Sequence, residues 1–244
     1  MHGHILSLAL ETFTPYGDHV YSALIATLPG HRYLDDALAS VFQQTVPPAA
    51  VHVISDDGIA DGESWVRSVR SAYPDIHVHL HPGVGLASAL AWGIGLVTTD
   101  FVAFLDCDDR WRPHKQERQL ACLREDTDVD AATAQAVRVR LIDGTWQAES
   151  SSVPCSTFTN TTFRTTTFER FGLPDPRAGH FAWLYRWWST ARSNGLRSTL
   201  VDYVGLERRL HEDNSWIVNN DRARRDLLHE LRLLEARHRR REDD

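Results

Sequence analysis

Asp106, Asp108 and Asp109 stand within four consecutive positions, at the end of the apolar run "FVAFLD". Carboxylates this close repel one another, so a chain that gathers them needs a compensating partner. Their oxygens suit a hard cation such as Mg2+ or Mn2+, which takes one or two carboxylates and fills its shell with water and phosphate oxygens. The alternative is an acidic turn that caps a helix starting near Pro113. A second acidic group, Asp56-Asp57-Gly58, ends another apolar run, "AVHVIS". Further on, "RRLHEDN" ends an extended segment, where His211 reads as a partly buried histidine on a strand. It also carries Arg208 and Arg209, and adjacent residues on a strand point to opposite faces, so at most one of them meets a shared cleft.

Positioning such groups is the work of the elements around them. Residues 19–27, 50–55, 76–81 and 101–106 read as strands, and 32–45, 63–73 and 85–97 as helices, with Pro29-Gly30 and Pro47-Pro48 as breaks. Strand 101–106 is apolar on both faces, which predicts a central place. Alternating strands and helices predict an α/β fold with a parallel, doubly wound sheet. Ligands in such sheets bind outside the carboxyl ends of the strands, where both acidic groups fall. Beyond residue 125 the pattern is less regular. It predicts a hairpin around Asp143-Gly144, a Ser/Thr-rich loop at 150–162, a helix at 181–195 and an extended segment at 196–211. An amphipathic helix at 221–241 follows, able to dock on its own domain or to pair with a second copy as a homodimer.

The 244 residues carry 26 basic and 33 acidic side chains, a net charge of −7, which argues against a general nucleic-acid binder. Three unpaired-looking cysteines fit a reducing compartment, and no run is long enough for a membrane span, so a cytoplasmic location is expected.

Four segments in order, "ALIATLPGHRYLDDALASVFQQT", "VHVISDDGIADG", "GVGLASALAWGI" and "FLDCDDRWRPHKQERQ", followed by "RRLHEDNSW", resemble the family 2 glycosyltransferases of GT-A fold. The resemblance covers residues 19–216. It implies a Rossmann-like, mostly parallel central sheet flanked by helices, with a nucleotide-binding half at 19–125, an acceptor-side half at 126–216, an N-terminal extension at 1–18 and a C-terminal helix or tail at 217–244. It implies a nucleotide-diphosphate sugar donor, UDP-linked by default, and an Mn2+ or Mg2+ cofactor. Position by position, Ala26, Thr27, Asp56 and Asp57 would hold the base and ribose. Asp106 and Asp108 would meet the nucleotide, and Asp108, Asp109 and His211 the metal. Arg208, Arg209 and Arg112 are the phosphate candidates. With no membrane segment, the implied acceptor is a hydroxyl or amine on a small or soluble molecule, such as a natural product or cell-surface precursor, and the transfer is of inverting type.

Two departures stand out. The family carries a Glu-Asp pair before an aromatic helix and an Arg, the Asp being the base. Aligning Arg186 with that Arg puts Gly179 and His180 at the pair, which makes His180 the candidate base and Asp175 and Asp202 its substitutes. The polar group usual in "GLASALAWGI" is missing at Ala89, Leu90 and Ala91. Trp111, Trp183 and Trp187 are candidates for an acceptor platform, with core packing as the other use of the helical pair. The lost pair also leaves open a degenerate GT-A protein that binds without catalysis. A nucleotidyltransferase would place aspartates similarly, but "TLPGHRYL" lacks its glycine-rich phosphate loop.

Overall fold

The computed structural model describes residues 21–56, 62–83, 85–149, 151–178, 182–212, 214, 225 and 228. Asp57, Gly179 and His180 lie outside them, as do the N-terminal extension and nearly all of the expected terminal helix.

The first half alternates as expected: β1 (Tyr21–Thr27), α1 (Leu34–Phe42), β2 (Ala50–Ser55), α2 (Gly62–Ala72), β3 (His77–Leu80), α3 (Leu86–Ile94) and β4 (Phe101–Asp106). β5 (Arg110–Trp111), α4 (Lys115–Glu125), β6 (Ala131–Ile142), β7 (Thr145–Ala148), β8 (Val153–Cys155), β9 (Thr161–Arg164), α5 (Thr166–Phe171), α6 (Trp183–Ser193) and β10 (Ser198–Leu210) follow. The sheet runs β3-β2-β1-β4-β9-β6-β10-β5, with β7 and β8 paired to β6. β3, β2, β1 and β4 are mutually parallel, β6 and β10 are parallel, and β9 runs antiparallel between β4 and β6.

Strand periodicity divides the core. Tyr21, Ala23 and Ile25 of β1 join Phe101, Ala103 and Leu105 of β4 on the face covered by α1, α2 and α4. Leu24 and Ala26 join Ile54, Val102 and Phe104 on the face covered by α3, α5 and α6. Gly93 brings α3 close to that second face, since a Cβ there would overlap Ile54 Cδ1 and Leu24 Cδ1. The β6–β7 hairpin turns on Asp143 and Gly144, both at positive φ (50° and 76°), the requirement of a two-residue type I′ turn.

The loop expected at 150–162 is corrected: it contains β8 and leads into β9. Thr162 is fully buried there because Gln116 Oε1 (3.0 Å) and Gln119 Oε1 (2.8 Å) of α4 stand within reach of its hydroxyl, and Thr161 Oγ1 donates to the Thr157 carbonyl at 2.6 Å. β-branched residues suit a strand once their hydroxyls are satisfied, and the partners that do so come from elsewhere in the chain. β5 and the short α5 are further elements that local patterning did not mark.

Candidate functional site

The carboxyl ends of β1, β2 and β4 form one rim. Ala26 is in register with Ile54 on one side and Asp106 on the other. The Asp56 N–H donates to the Thr27 carbonyl at 2.9 Å, pinning the end of β2 to the end of β1. Ala26 and Thr27 are buried, and the Thr27 hydroxyl donates to the Leu28 carbonyl at 2.9 Å.

Asp56 is held by a residue that the sequence reading gave no role. His81 Nδ1 lies 2.7 Å from Asp56 Oδ1, and His81 Nε2 lies 3.3 Å from the Ser88 hydroxyl on α3. His81 is buried, and its backbone N–H donates to the Ser55 carbonyl at the end of β2 at 2.8 Å. The alternating "HVHLH" places it on a strand, but only the pairing of β3 with β2 aims it at Asp56.

Ligand oxygens of Asp106, Asp108 and Asp109 all lie within 4.8 Å of one another. Burial, and then the Asp108 charge, push the Asp106 carboxyl up to about 7. Burial, Asp108 and Asp106 push Asp109 well above the ordinary carboxylate range. The Cys107 thiol is also pushed up, by burial first. Arg208 is the basic partner of this cluster. Burial opposes its charge, but Asp109 and Asp106 outweigh that and raise its pKa.

β10 carries the opposite wall. The Arg209 N–H donates to Asp109 Oδ1 at 3.0 Å, which orients that carboxylate. His211 Nε2 lies 3.1 Å from Asp108 Oδ2, and Asn214 Nδ2 donates to the same oxygen at 3.1 Å. Asn214 Oδ1 accepts from the His211 N–H at 2.7 Å, so the loop after β10 is tied to itself as well as to the cluster. Asn214 is the second contributor that the sequence reading left without a role, although it closes the "RRLHEDN" motif. The residues fit a divalent cation: clustered hard oxygens on carboxyl groups that repel one another, and a buried His211 whose Nδ1 has no hydrogen-bond partner among the described residues.

The other candidates separate. Arg209 is fully enclosed, with its guanidinium 4.9 Å from both the Tyr33 and Trp146 ring centres and 2.7 Å from Asp36, away from the carboxylate cluster. Arg112 Nε is engaged by Glu207 Oε1 at 3.1 Å. Trp111 is enclosed, with Lys115 Nζ over its ring and its Nε1 donating to the Thr159 carbonyl. Trp183 and Trp187 pack edge-on against Phe158, with ring centres at 5.3 and 4.9 Å. Core packing therefore accounts for these three indoles, and a stacking platform for an acceptor needs other groups. Trp183 and Trp187 also edge a cavity of about 120 Å3 that includes Asp175 and Arg186. Asp175 is held by Arg177, at 2.9 Å from both its N–H and its Nε. Asp202 is exposed and accepts from Gln135 Nε2 at 2.8 Å, six residues and roughly 20 Å of strand before Arg208.

Residues 22–188 match the model of glycosyl transferase family 2. An uncharacterized glycosyltransferase of Nostoc sp. is 31% identical over 98 residues, covering 40% of this chain and 30% of the relative. The putative teichuronic acid biosynthesis glycosyltransferase TuaG of Bacillus subtilis is 30% identical, covering 43% and 42% respectively. The uncharacterized glycosyltransferase YibD of Escherichia coli is 27% identical over 200 residues, covering 79% of this chain and 54% of the relative. The matches thus span about a third to a half of these relatives' length. Crystal structures of S. aureus TarS share the fold: the complex with UDP superposes at a TM-score of 0.62 with 16% identity, covering 78% of this chain and 60% of that one. The complex with UDP-GlcNAc gives 0.61, with 17% identity and coverage of 80% and 60%. No helix among the described residues is long and apolar enough to cross a membrane.

Proposed function

The chain belongs to glycosyl transferase family 2, and on that premise we propose that it transfers a sugar from a nucleotide-diphosphate donor, UDP-linked by default, to a hydroxyl or amine acceptor with inversion at the anomeric carbon. The observation that carries this reading is the convergence of Thr27, Asp56, Asp106, Asp108, Asp109 and His211 on one rim of the sheet. The TarS complexes with UDP and UDP-GlcNAc support the donor class, and the name of TuaG supports a cell-surface precursor as acceptor.

Asp56, fixed by His81, accepts the imide N–H of a pyrimidine base. Ala26 and Thr27 line the base and Asp106 takes ribose hydroxyls. Asp108, Asp109 and His211 would hold Mg2+ or Mn2+, which would supply charge neutralisation at the departing diphosphate. Arg208 adds a positive charge on the same side. The acceptor oxygen forms a bond to the anomeric carbon as the bond from that carbon to the diphosphate oxygen breaks, and the acceptor proton passes to a base. His180 is that base; its ordinary pKa of about 6.5 suits proton transfer near neutrality. Its support is its place in the sequence before Arg186. The Gly179-His180 substitution favours a second reading as well, a nucleotide-binding protein without transfer activity.

Turnover of a panel of nucleotide sugars, with Mn2+ present, tests the first reading. Transfer or donor hydrolysis that is abolished in D108A supports it. Nucleotide binding with no turnover of any donor supports the second. Wild-type turnover by H180A, with its fold intact, removes His180 from the mechanism.

A further inference from the structure

Three imidazoles share one face at the edge of the sheet, with no part in the reading above. His52 on β2 lies in register opposite His77 on β3, and His77 and His79 alternate along β3, so both project to the same side. The ring centres of His52 lie 5.1 Å from His77 and 5.5 Å from His79, with interplanar angles of 26° and 20°. His52 Nδ1 and His79 Nε2 are 3.3 Å apart. Two imidazole nitrogens on one tetrahedral ion, each about 2.0–2.1 Å from it, are separated by roughly 3.3–3.4 Å. His77 is exposed and stacked on His52, and a turn about its side-chain torsions would bring its ring to the pair.

We propose that His52, His79 and His77 form a transition-metal site for Zn2+, or for Ni2+ or Cu2+, distinct from the aspartate cluster. Imidazole donors select these borderline ions, whereas the carboxylates select hard ones. His79 is in register with Ile54, Ala26 and Asp106 in turn, which puts the two sites three strand spacings, roughly 14 Å, apart. A metal ligand must be neutral, and the surroundings of His52 and His79 favour that form. Burial and then the other imidazoles hold His52 down to about 4, and burial, His77 and Arg70 hold His79 low. Trp92 on α3 stands beside the site, its ring centre 5.5 Å from that of His79 and 6.0 Å from that of His81. An ion held at His79 therefore sits against an indole that also borders the residue fixing Asp56.

The test is a calorimetric titration of the full chain with Zn2+, in excess Mn2+ to fill the aspartate site, beside a Cu2+ titration read by tryptophan fluorescence. The expected result is one Zn2+ per chain whose affinity drops more than about tenfold in H77Q/H79Q, since even a lost partner of a ligating histidine costs about 10–100-fold. W92F keeps the Zn2+ affinity and loses the Cu2+ quenching that H77Q/H79Q also loses. Zn2+ binding that H77Q/H79Q leaves unchanged, or no binding by the wild type, overturns the site. Should the double variant misfold by circular dichroism, His77→Gln alone serves, because its ring is exposed; unchanged affinity there also overturns it.

Discussion

His211 Nε2 lies 3.1 Å from Asp108 Oδ2, although the two residues are 103 positions apart. The contact closes the site: it ties the loop after β10 to the acidic end of β4, and Asn214 reinforces it on the same oxygen. Replacing Asp108 with Asn removes the charge and keeps the shape. In D108N, stabilisation by UDP with Mn2+ is expected to vanish from a melting curve, where a ligand at 100 times its Kd contributes about 2.7 kcal/mol. Transfer is expected to fall by on the order of 10²-fold or more. An unchanged cation-dependent shift removes Asp108 from the metal site.

Arg208 and Arg209 are neighbours in different surroundings, the first against the carboxylate cluster and the second between two aromatic rings. R208A is expected to raise the donor KM about tenfold, equivalent to about 1.4 kcal/mol, with little change in melting. R209A is expected to cost about 2–4 kcal/mol in urea denaturation, because it empties the slot between Tyr33 and Trp146. Arg209→Met, which refills that slot, should recover much of the loss. Reversed effects of the two alanine variants would show that the phosphate-facing arginine has been misassigned.

His52 predicts an acid limb in stability. Its folded pKa of about 4 lies below the unfolded value of about 6.5, so the unfolded state binds the extra proton between them. The contribution is complete above about pH 6.5 and is lost as pH falls toward 4, by up to about 3 kcal/mol. The difference in unfolding free energy between the wild type and H52L, measured from pH 7.5 to 4.5, isolates this group. A difference that does not vary with pH contradicts the prediction.

Lys115 is fully enclosed, its Nζ 4.3 Å from the Trp111 ring centre and without a hydrogen-bond partner among the described residues, and burial holds its pKa well below the usual range. Replacing an unsatisfied buried amine with an apolar side chain of similar volume removes its desolvation penalty and is expected to stabilise by about 1–3 kcal/mol. K115M should therefore melt higher than the wild type, and K115A lower by about 2–5 kcal/mol for the cavity it leaves. A K115M that unfolds at lower urea than the wild type would indicate that the ammonium has a partner.

The sequence by itself determined the alternation of strands and helices up to β4, the placing of Asp56 and Asp106 to Asp109 at strand ends, and the family. These are legible because apolar runs, breakers and clustered carboxylates are local, and because family motifs keep their order. Tertiary structure alone decided which arginine of "RRLH" meets the carboxylates, since a strand fixes alternation while its neighbours fix the phase. It placed β8 and the start of β9 in the Ser/Thr-rich "loop", where the Thr162 hydroxyl is met by glutamines on α4. It enclosed Trp111, Trp183 and Trp187, whose indoles read equally well as platform or core until the aromatic side chains around them were placed. It set His81 on Asp56 and gathered His52, His77 and His79, because contacts between β2 and β3 depend on strand register across 25 or more positions, which no local pattern encodes.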